Sequence, residues 1–163
     1  MCKEARDLFG RAAGAAPDNS HVLQAWAVFE KQQGNLDGAH NLFERAVALD
    51  PRDAYVIQAW AVLERSRKQW QLAKSSFEDA ASLERKPKSR AWCYWDRAKL
   101  ANETGRGLEA AREALPFLEK SVEAFPMAEV LRELASVCDV LGLHDESVRY
   151  ASLARSAPTS RQR

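Results

Sequence analysis

The five residues Gln24–Val28 recur unchanged as Gln58–Val62, 34 positions further along the chain. The same shift aligns a wider set of positions: Ala5 with Ala39 and Ala73, Phe9 with Phe43 and Phe77, Ala12 with Ala46 and Ala80, and Pro17 with Pro51. A period of this length is typical of stacked helical hairpins, in which each unit buries its apolar face against its neighbours. The sequence therefore predicts a stack of hairpins whose function lies in the surface it presents.

Within one period the apolar residues follow helical spacing, which predicts helices over 20–33 and 36–49. Asp18, Asn19 and Ser20 offer N-cap side chains for the first helix, and Gly34 ends it. Pro51 stops the second helix because proline cannot continue the hydrogen-bond ladder. The next period repeats the pattern and predicts helices over about 54–67 and 70–83.

Beyond residue 85 the period is less regular. Residues 84–88 read as an extended connector, and Gly105 as the break between two helices. The following helix, over about 108–125, carries Pro116 inside it, and we expect this proline to kink or split it. A more regular unit closes the chain, and residues 159–163 are expected to be a frayed tail.

Three cysteines in 163 residues fit neither a disulfide framework nor a metal-ligand pattern. No stretch approaches the length of an apolar bilayer span, and the N-terminus has no apolar signal region. It begins part-way through a unit, so we expect the chain to be a fragment of a longer array. The cysteine usage favours a reducing intracellular setting.

Charge is unevenly distributed although the formal net charge is only +1. Residues 65–99 contain ten Lys or Arg against four acids, a local +6, whereas residues 128–150 contain five acids against two arginines. No glycine-rich phosphate loop, nucleophile elbow or zinc motif occurs, and the three histidines stand apart from any catalytic spacing. We therefore expect no enzyme activity and no cofactor or metal.

The repeat residues resemble the tetratricopeptide repeat (TPR), and more narrowly its HAT (half-a-TPR) variant. The resemblance is carried by Trp26-Ala27-x-Phe29-Glu30, Gly34-Asn35, Ala39-x-x-x-Phe43-Glu44-x-Ala46 and Pro51, with Trp60-Ala61-Val62-Leu63-Glu64 repeating its first part. It implies an all-α fold, a right-handed α-α superhelix of antiparallel helix hairpins. The array would span residues 1–158, as a half unit 1–17 and units 18–51, 52–85, about 88–126 and about 127–158.

Several core roles follow from repeat position. Trp26 and Trp60 are expected to pack between helices, and Cys93 and Cys138 to serve as small apolar groups. His40 is expected to pair with Glu30 across one hairpin, and Lys74 with Glu64 across the next.

The candidate binding residues lie on first helices and face away from the second helix, toward a concave side. The binding candidates are His21, Gln24, Lys31, Tyr55, Gln58, Arg65, Trp92, Trp95 and Lys99; Val28, Val62, Asn102, Glu129, Arg132, Ser136 and Asp139 share their repeat positions. Aromatic rings beside Gln and cationic side chains suit stacked bases and phosphates of single-stranded RNA. The same residue types dominate protein–protein hot spots.

Three interpretations of function remain open. HAT-repeat proteins act in RNA processing, and the residues of this repeat are most similar to those of the plastid factors that mature photosystem II mRNA. The resemblance is compatible with a plastid or nuclear location. This resemblance implies a non-catalytic scaffold that binds single-stranded RNA along its concave face. The alternative is a protein–protein interaction scaffold that holds a peptide or partner helix in the groove without contacting RNA. The third is a homo-oligomer, since HAT arrays often pair through their C-terminal repeats. A separate alternative to a binding role for Trp92 and Trp95 is that they only fill the wider gap of the irregular third unit.

Overall fold

The structure, a computed structural model, describes residues 2–159, and this part of the chain forms nine α-helices without strands. The helices are α1 (Cys2–Ala15), α2 (Ser20–Gln32), α3 (Leu36–Leu49), α4 (Ala54–Ser66), α5 (Trp70–Leu83), α6 (Pro87–Thr104), α7 (Gly107–Ala124), α8 (Ala128–Val140) and α9 (His144–Ser156). They belong to two compact units, Met1–Leu83 and Glu84–Arg163. The expected all-α fold of antiparallel helix hairpins is confirmed. Four residues of the expected frayed tail, 160–163, lie outside the described part.

Local side-chain chemistry sets the helix starts. The Asn19 carboxamide oxygen accepts hydrogen bonds from the backbone N–H groups of His21 and Val22 at 3.1 and 3.2 Å. One period later the Asp53 carboxylate accepts from Tyr55 and Val56 at 2.9 and 3.2 Å. Each cap satisfies two of the donors that a helix N-terminus leaves without an intrahelical partner.

Helix ends also repeat with the period, through backbone in the left-handed region. Gly34 has φ of +80° after α2, and Lys68, 34 residues later, has φ of +61° after α4. A non-glycine residue pays a conformational cost in this region because its Cβ approaches the following carbonyl oxygen. The turn at Lys68 therefore follows the geometry of the repeat against the preference of its own residue.

In the unit Met1–Leu83 the aligned alanines of α2 to α5 lie in the core. Ala27, Ala39 and Ala46 are fully buried, as are their equivalents one period later. Phe43 and Phe77 fill the adjacent space and are also fully buried. The Trp26 and Trp60 rings pack against this core and are half-buried, as expected for packing residues.

In the unit Glu84–Arg163 a long hairpin of α6 and α7 packs against α8. Gly105 ends α6, which confirms the expected break. The hairpin is joined by polar contacts in its interior: the Ser121 hydroxyl donates to the Ala91 carbonyl at 2.8 Å, and the Arg97 guanidinium lies 3.1 Å from the Glu113 carboxylate. Cys93 and Cys138 are both buried, as expected for small apolar groups.

Helix α7 is not split at Pro116, so the alternative of two separate helices is wrong. The proline ring is exposed, and buried residues on both sides, Ala114 and Leu118, hold the helix in the core of this unit. Tertiary packing therefore offsets the hydrogen bond that proline removes.

The expected pairing of His40 with Glu30 is wrong. His40 Nδ1 lies 2.8 Å from Glu64 Oε1, and Glu30 instead receives two hydrogen bonds from Arg6, at 2.8 and 2.9 Å. Arg6 and His40 occupy equivalent positions on second helices, and each reaches the first helix of the following hairpin. Glu64 is also bound by Arg67 at 3.1 Å. The expected pairing of Lys74 with Glu64 stays a prediction. The contacts of Arg6 and His40 therefore join successive hairpins, because both side chains point out of their own hairpin.

Candidate functional site

Helices α2 and α4 pack side by side, and their outward stripes form one surface in the unit Met1–Leu83. Spacings of three, four and three residues place each stripe on a single helix face. We call this surface the α2–α4 face, and it consists of His21, Val28 and Lys31 on α2 and of Tyr55, Gln58, Val62 and Arg65 on α4. Tyr55 is 63% exposed, and the His21 side chain is 66% exposed. The remaining five residues are half-buried.

Gln24, which the repeat position assigns to the same surface, is only 7% exposed. We expected the Gln24 side chain to contact a ligand, but its burial leaves almost none of it accessible. Helix α2 packs against both α3 and α4, so its side chains lose more exposed area than helical periodicity alone indicates. The equivalent residue on α4, Gln58, remains half-buried.

Two cations lie together at the C-terminal end of the α2–α4 face. Burial lowers the pKa of the Lys31 ammonium, and the charge of Arg65 lowers it further. Val28 and Val62 lie one turn earlier on the same stripes and are half-buried. A desolvated cation beside a second cation favours an anionic ligand, because both effects penalise its charged form.

The opposite end of the α2–α4 face carries an imidazole and a phenol. His21 Nε2 lies 3.6 Å from Asp53 Oδ2, and the same carboxylate caps α4. Tyr55 lies two residues after Asp53, in the first turn of α4. Arg65 lies ten positions after Tyr55, which is about 15 Å along the helix, so the aromatic and cationic ends are well separated.

In the unit Glu84–Arg163 the structure brings Trp92, Trp95 and Lys99 of α6 together. The two indole rings have centroids 4.9 Å apart and an interplanar angle of 39°. Lys99 Nζ lies 3.7 Å from the Trp95 ring centroid and 5.8 Å from that of Trp92. We call Trp92 and Trp95 the tryptophan pair. Both rings also pack against the core of this unit, so they combine a packing role with a partly exposed surface.

Acidic groups adjoin the tryptophan pair. Lys99 Nζ lies 3.0 Å from Asp96 Oδ1, and Trp95 Nε1 donates to Glu133 Oε2 on α8 at 2.5 Å. A cavity of about 210 Å³ beside this contact is lined by Asn102, Glu133 and Ser136, among others. Repeat position had selected Asn102 and Ser136 but had missed Glu133. The available signal was its place four residues after Glu129, on the same face of α8.

Within residues 2–159 no group of three or more His, Cys, Asp or Glu is arranged to hold a metal ion. No helix of this part is long and apolar enough to cross a membrane. Burial raises the pKa of the Cys93 thiol to about 12, with smaller contributions from the charges of Asp96 and Glu84. Cys93 is therefore an unreactive packing group at neutral pH.

Solved structures show the same fold at low sequence identity. The crystal structure of MamA aligns with 91% of this chain and 83% of its own, at a TM-score of 0.74 and 19% identity. A Pseudomonas aeruginosa pilF structure aligns with 99% of this chain and 70% of its own, at a TM-score of 0.79 and 16% identity. YrrB is described as a TPR protein with an unusual peptide-binding site. Its structure aligns with 91% of this chain and 73% of its own, at a TM-score of 0.71 and 17% identity. A search among curated proteins found no match.

The family comparison supports the broader resemblance and lends no support to the narrower one. The matching model describes the tetratricopeptide repeat and not the HAT variant, and none of the three solved proteins is described as acting on RNA. Its match spans α2, α3 and most of α4, which carry the first complete hairpin and the start of the next. Residues 20–63 match the tetratricopeptide repeat family, and the chain as a whole has the helical-hairpin fold of these solved proteins.

Proposed function

We propose that this chain is a non-catalytic scaffold whose α2–α4 face binds an acidic, extended segment of a partner protein. The observation that carries the proposal is the placement of Lys31 and Arg65 together at one end of a half-buried, partly apolar surface. A carboxylate placed between them would relieve their mutual repulsion, and charge complementarity of this kind sets specificity and association rate.

The dimensions of the face fit a short peptide. A span of about 15 Å accommodates about four or five residues of extended chain at roughly 3.3 Å each. Tyr55 offers an aromatic anchor at the far end, and Val28 and Val62 offer apolar contact nearer the cations. The arrangement favours a segment with an apolar or aromatic residue about four positions from an acidic one.

Two observations favour protein over RNA as the ligand. The Trp95 ring, on which a base was expected to stack, carries Lys99 over its face, and the neighbouring carboxylates of Asp96 and Glu133 disfavour phosphates. Strong RNA affinity also needs many phosphate contacts, whereas the α2–α4 face brings two cations together. The peptide-binding site named for YrrB shows that a similar fold can carry such a function.

The test uses the full chain and two labelled probes: a decapeptide that alternates glutamate with leucine and tyrosine, and a uridine-rich RNA 20-mer. Fluorescence anisotropy in 50 and 200 mM salt measures both affinities. We expect the peptide to bind, and the double variant Lys31→Gln/Arg65→Gln to weaken it by about tenfold or more, as loss of interfacial charge pairs does. Tyr55→Ala should weaken it further.

The matched control is the double variant Arg11→Gln/Arg45→Gln, which removes the same charge from exposed positions on α1 and α3. This control should retain the affinity of the unmodified chain. Equal losses of peptide affinity in both double variants would show that only net charge matters. That result would overturn the assignment of the site to the α2–α4 face. RNA binding that is tighter than peptide binding and that is lost with Tyr55 and Arg65 would favour the RNA scaffold instead.

A further inference from the structure

The tryptophan pair already holds one cation. Lys99 Nζ lies 3.7 Å from the Trp95 ring centroid, within the range at which an ammonium is attracted to an aromatic face. Trp92 closes a second side, with its ring tilted by 39° and Lys99 Nζ at 5.8 Å from its centroid. Two tilted indole rings around one ammonium have the geometry of an aromatic cage.

The host part of this cage is held rigidly. Both rings pack against the core of the unit Glu84–Arg163, which includes Ala91, Val130 and Leu134. The Trp95 indole N–H is fixed by its hydrogen bond to Glu133 on α8. A cation entering the site would therefore find the rings already oriented, and ordering costs would be small.

The guest is held more weakly than the host. The Lys99 side chain is 30% exposed, and its ion pair with Asp96 lies within one helix, three residues away. Pairs of this kind contribute little because water competes for both groups. The flexible lysine can swing into solvent without disturbing any backbone contact, so it is replaceable by a cation from outside.

The charge around the cage favours such a replacement. Two carboxylates, Asp96 and Glu133, adjoin the rings, against the single ammonium of Lys99. A second cation would be stabilised by this excess, whereas a phosphate or carboxylate would be repelled. The ligand must therefore be basic, which is opposite to the preference of the α2–α4 face.

We propose that the tryptophan pair recognises a lysine or arginine side chain of a partner protein, and that Lys99 occupies the cage until that side chain displaces it. The site lies on α6 and α8 and uses no residue of the α2–α4 face. Its test can therefore fail or succeed independently of the acidic-peptide proposal.

The experiment follows the tryptophan indole N–H signals of the ¹⁵N-labelled chain during titration. The probes are N-acetyl-arginine amide and N-acetyl-lysine amide, with neutral N-acetyl-glutamine amide as the comparison. We expect both cationic probes to shift the Trp92 and Trp95 signals, which single Trp→Phe variants assign. Lys99→Gln should tighten binding about threefold to tenfold, because the internal competitor is gone.

Lys120→Gln is the matched control. Lys120 Nζ also lies near aromatic rings, 5.7 Å from Tyr94 and 5.4 Å from Phe117, but away from the tryptophan pair. Its removal should leave the affinity for the probes unchanged. A thermal melt of each variant confirms that the fold persists.

Two results with the amide probes would overturn the proposal. One is an equal response to the neutral glutamine probe, which would make the rings an unspecific apolar surface. The other is unchanged or weaker binding in Lys99→Gln, which would show that Lys99 does not compete. Shifts of both indoles by a uridine oligonucleotide, without shifts by the cationic probes, would also contradict it and favour base stacking.

Discussion

His40 Nδ1 lies 2.8 Å from Glu64 Oε1, and this contact joins the second helix of one hairpin to the first helix of the next. Arg6 and Glu30 make the equivalent contact one period earlier, at 2.8 Å. Glu64 is fully buried and Glu30 is 3% exposed. A buried carboxylate is tolerated only when it is paired and hydrogen-bonded. Glu30 and Glu64 therefore favour the stacking in which the neighbouring hairpin supplies their partners.

Removing the imidazole should therefore destabilise the unit Met1–Leu83. His40→Ala leaves Glu64 with its ion pair to Arg67 and should lower the free energy of unfolding by about 1–3 kcal/mol. Urea denaturation at pH 7 measures the change. The neighbouring exposed residue on α3 supplies the control, since Asn41→Ala should have little effect. Equal stabilities of the two variants would contradict a role for the His40–Glu64 contact.

Glu30 predicts a specific acid sensitivity. Its hydrogen bonds from Arg6 are the largest cause that lowers its pKa from 4.5 to about 2; those from Asn35 and Trp26 add to this, and burial opposes it. The folded state thus holds the carboxylate charged more strongly than the unfolded state does. Its contribution to stability is complete above about pH 4.5 and is lost as pH falls toward 2.

Unfolding free energies between pH 6 and pH 2 test this sign. The difference between the unmodified chain and Glu30→Gln should be largest near pH 6 and should shrink as pH falls. A difference that stays constant over this range would show that Glu30 is not the responsible group. Glu44→Gln, at an exposed position of α3, serves as a carboxylate control.

The two repeated tryptophans differ in one hydrogen bond. Trp26 Nε1 donates to Glu30 Oε1 at 3.1 Å, whereas the buried Trp60 Nε1 has no hydrogen-bond partner within the described residues. Trp→Phe removes similar volume at both positions, so the hydrogen bond accounts for the difference. Trp26→Phe should cost about 0.5–1.5 kcal/mol more than Trp60→Phe in thermal or urea unfolding. The reverse order would contradict a stabilising role for the hydrogen bond between Trp26 and Glu30.

Lys68 predicts a stabilising substitution. Its φ of +61° costs a lysine about 1–2 kcal/mol, whereas glycine adopts this backbone without a Cβ penalty. Lys68→Gly should raise the free energy of unfolding by about 0.5–1 kcal/mol once the greater flexibility of glycine in the unfolded chain is subtracted.

The reciprocal variant lies one period earlier. Gly34 has φ of +80° and open space around the position of a Cβ, so Gly34→Lys should lose stability through backbone conformation alone. Circular dichroism melts of both variants give the two signs. A destabilised Lys68→Gly chain would mean that the lysine side chain contributes more than its backbone costs.

The two buried thiols should resist alkylation. Burial raises the pKa of both Cys93 and Cys138, so the reactive thiolate is scarce at pH 8 and the sulfur is covered. In a Cys2→Ser background, iodoacetamide should leave the native chain unlabelled and should label both thiols in guanidinium, as counted by mass spectrometry. Rapid labelling of Cys93 under native conditions would show that α6 opens.

Local patterns predicted the helices well. The ends of α2 to α5 agree with the periodicity to within one residue or so, because Asn19, Asp53 and Gly34 act on backbone a few positions away. The burial of the repeated alanines in α2 to α5 was also predictable, because a shift of 34 residues aligns Ala27 with Ala61, Ala39 with Ala73 and Ala46 with Ala80.

Contacts that depend on spacing between helices were not predictable in this way. Repeat position paired His40 with Glu30 within one hairpin, whereas His40 contacts Glu64 on the following hairpin. It placed Gln24 on an open surface that packing against α3 and α4 has closed. Glu133 went unnoticed because its contact with Trp95 spans 38 residues and two helices.

The sequence by itself determined a stack of antiparallel hairpins and the helix faces on which binding residues could lie. Both follow from interactions over three or four residues, repeated every 34. Only the tertiary structure decided which of those residues meet: Lys31 beside Arg65, and Lys99 between two tryptophans with carboxylates around it. The physical reason is that burial and charge pairing depend on the distances between packed helices, and no local pattern contains those distances.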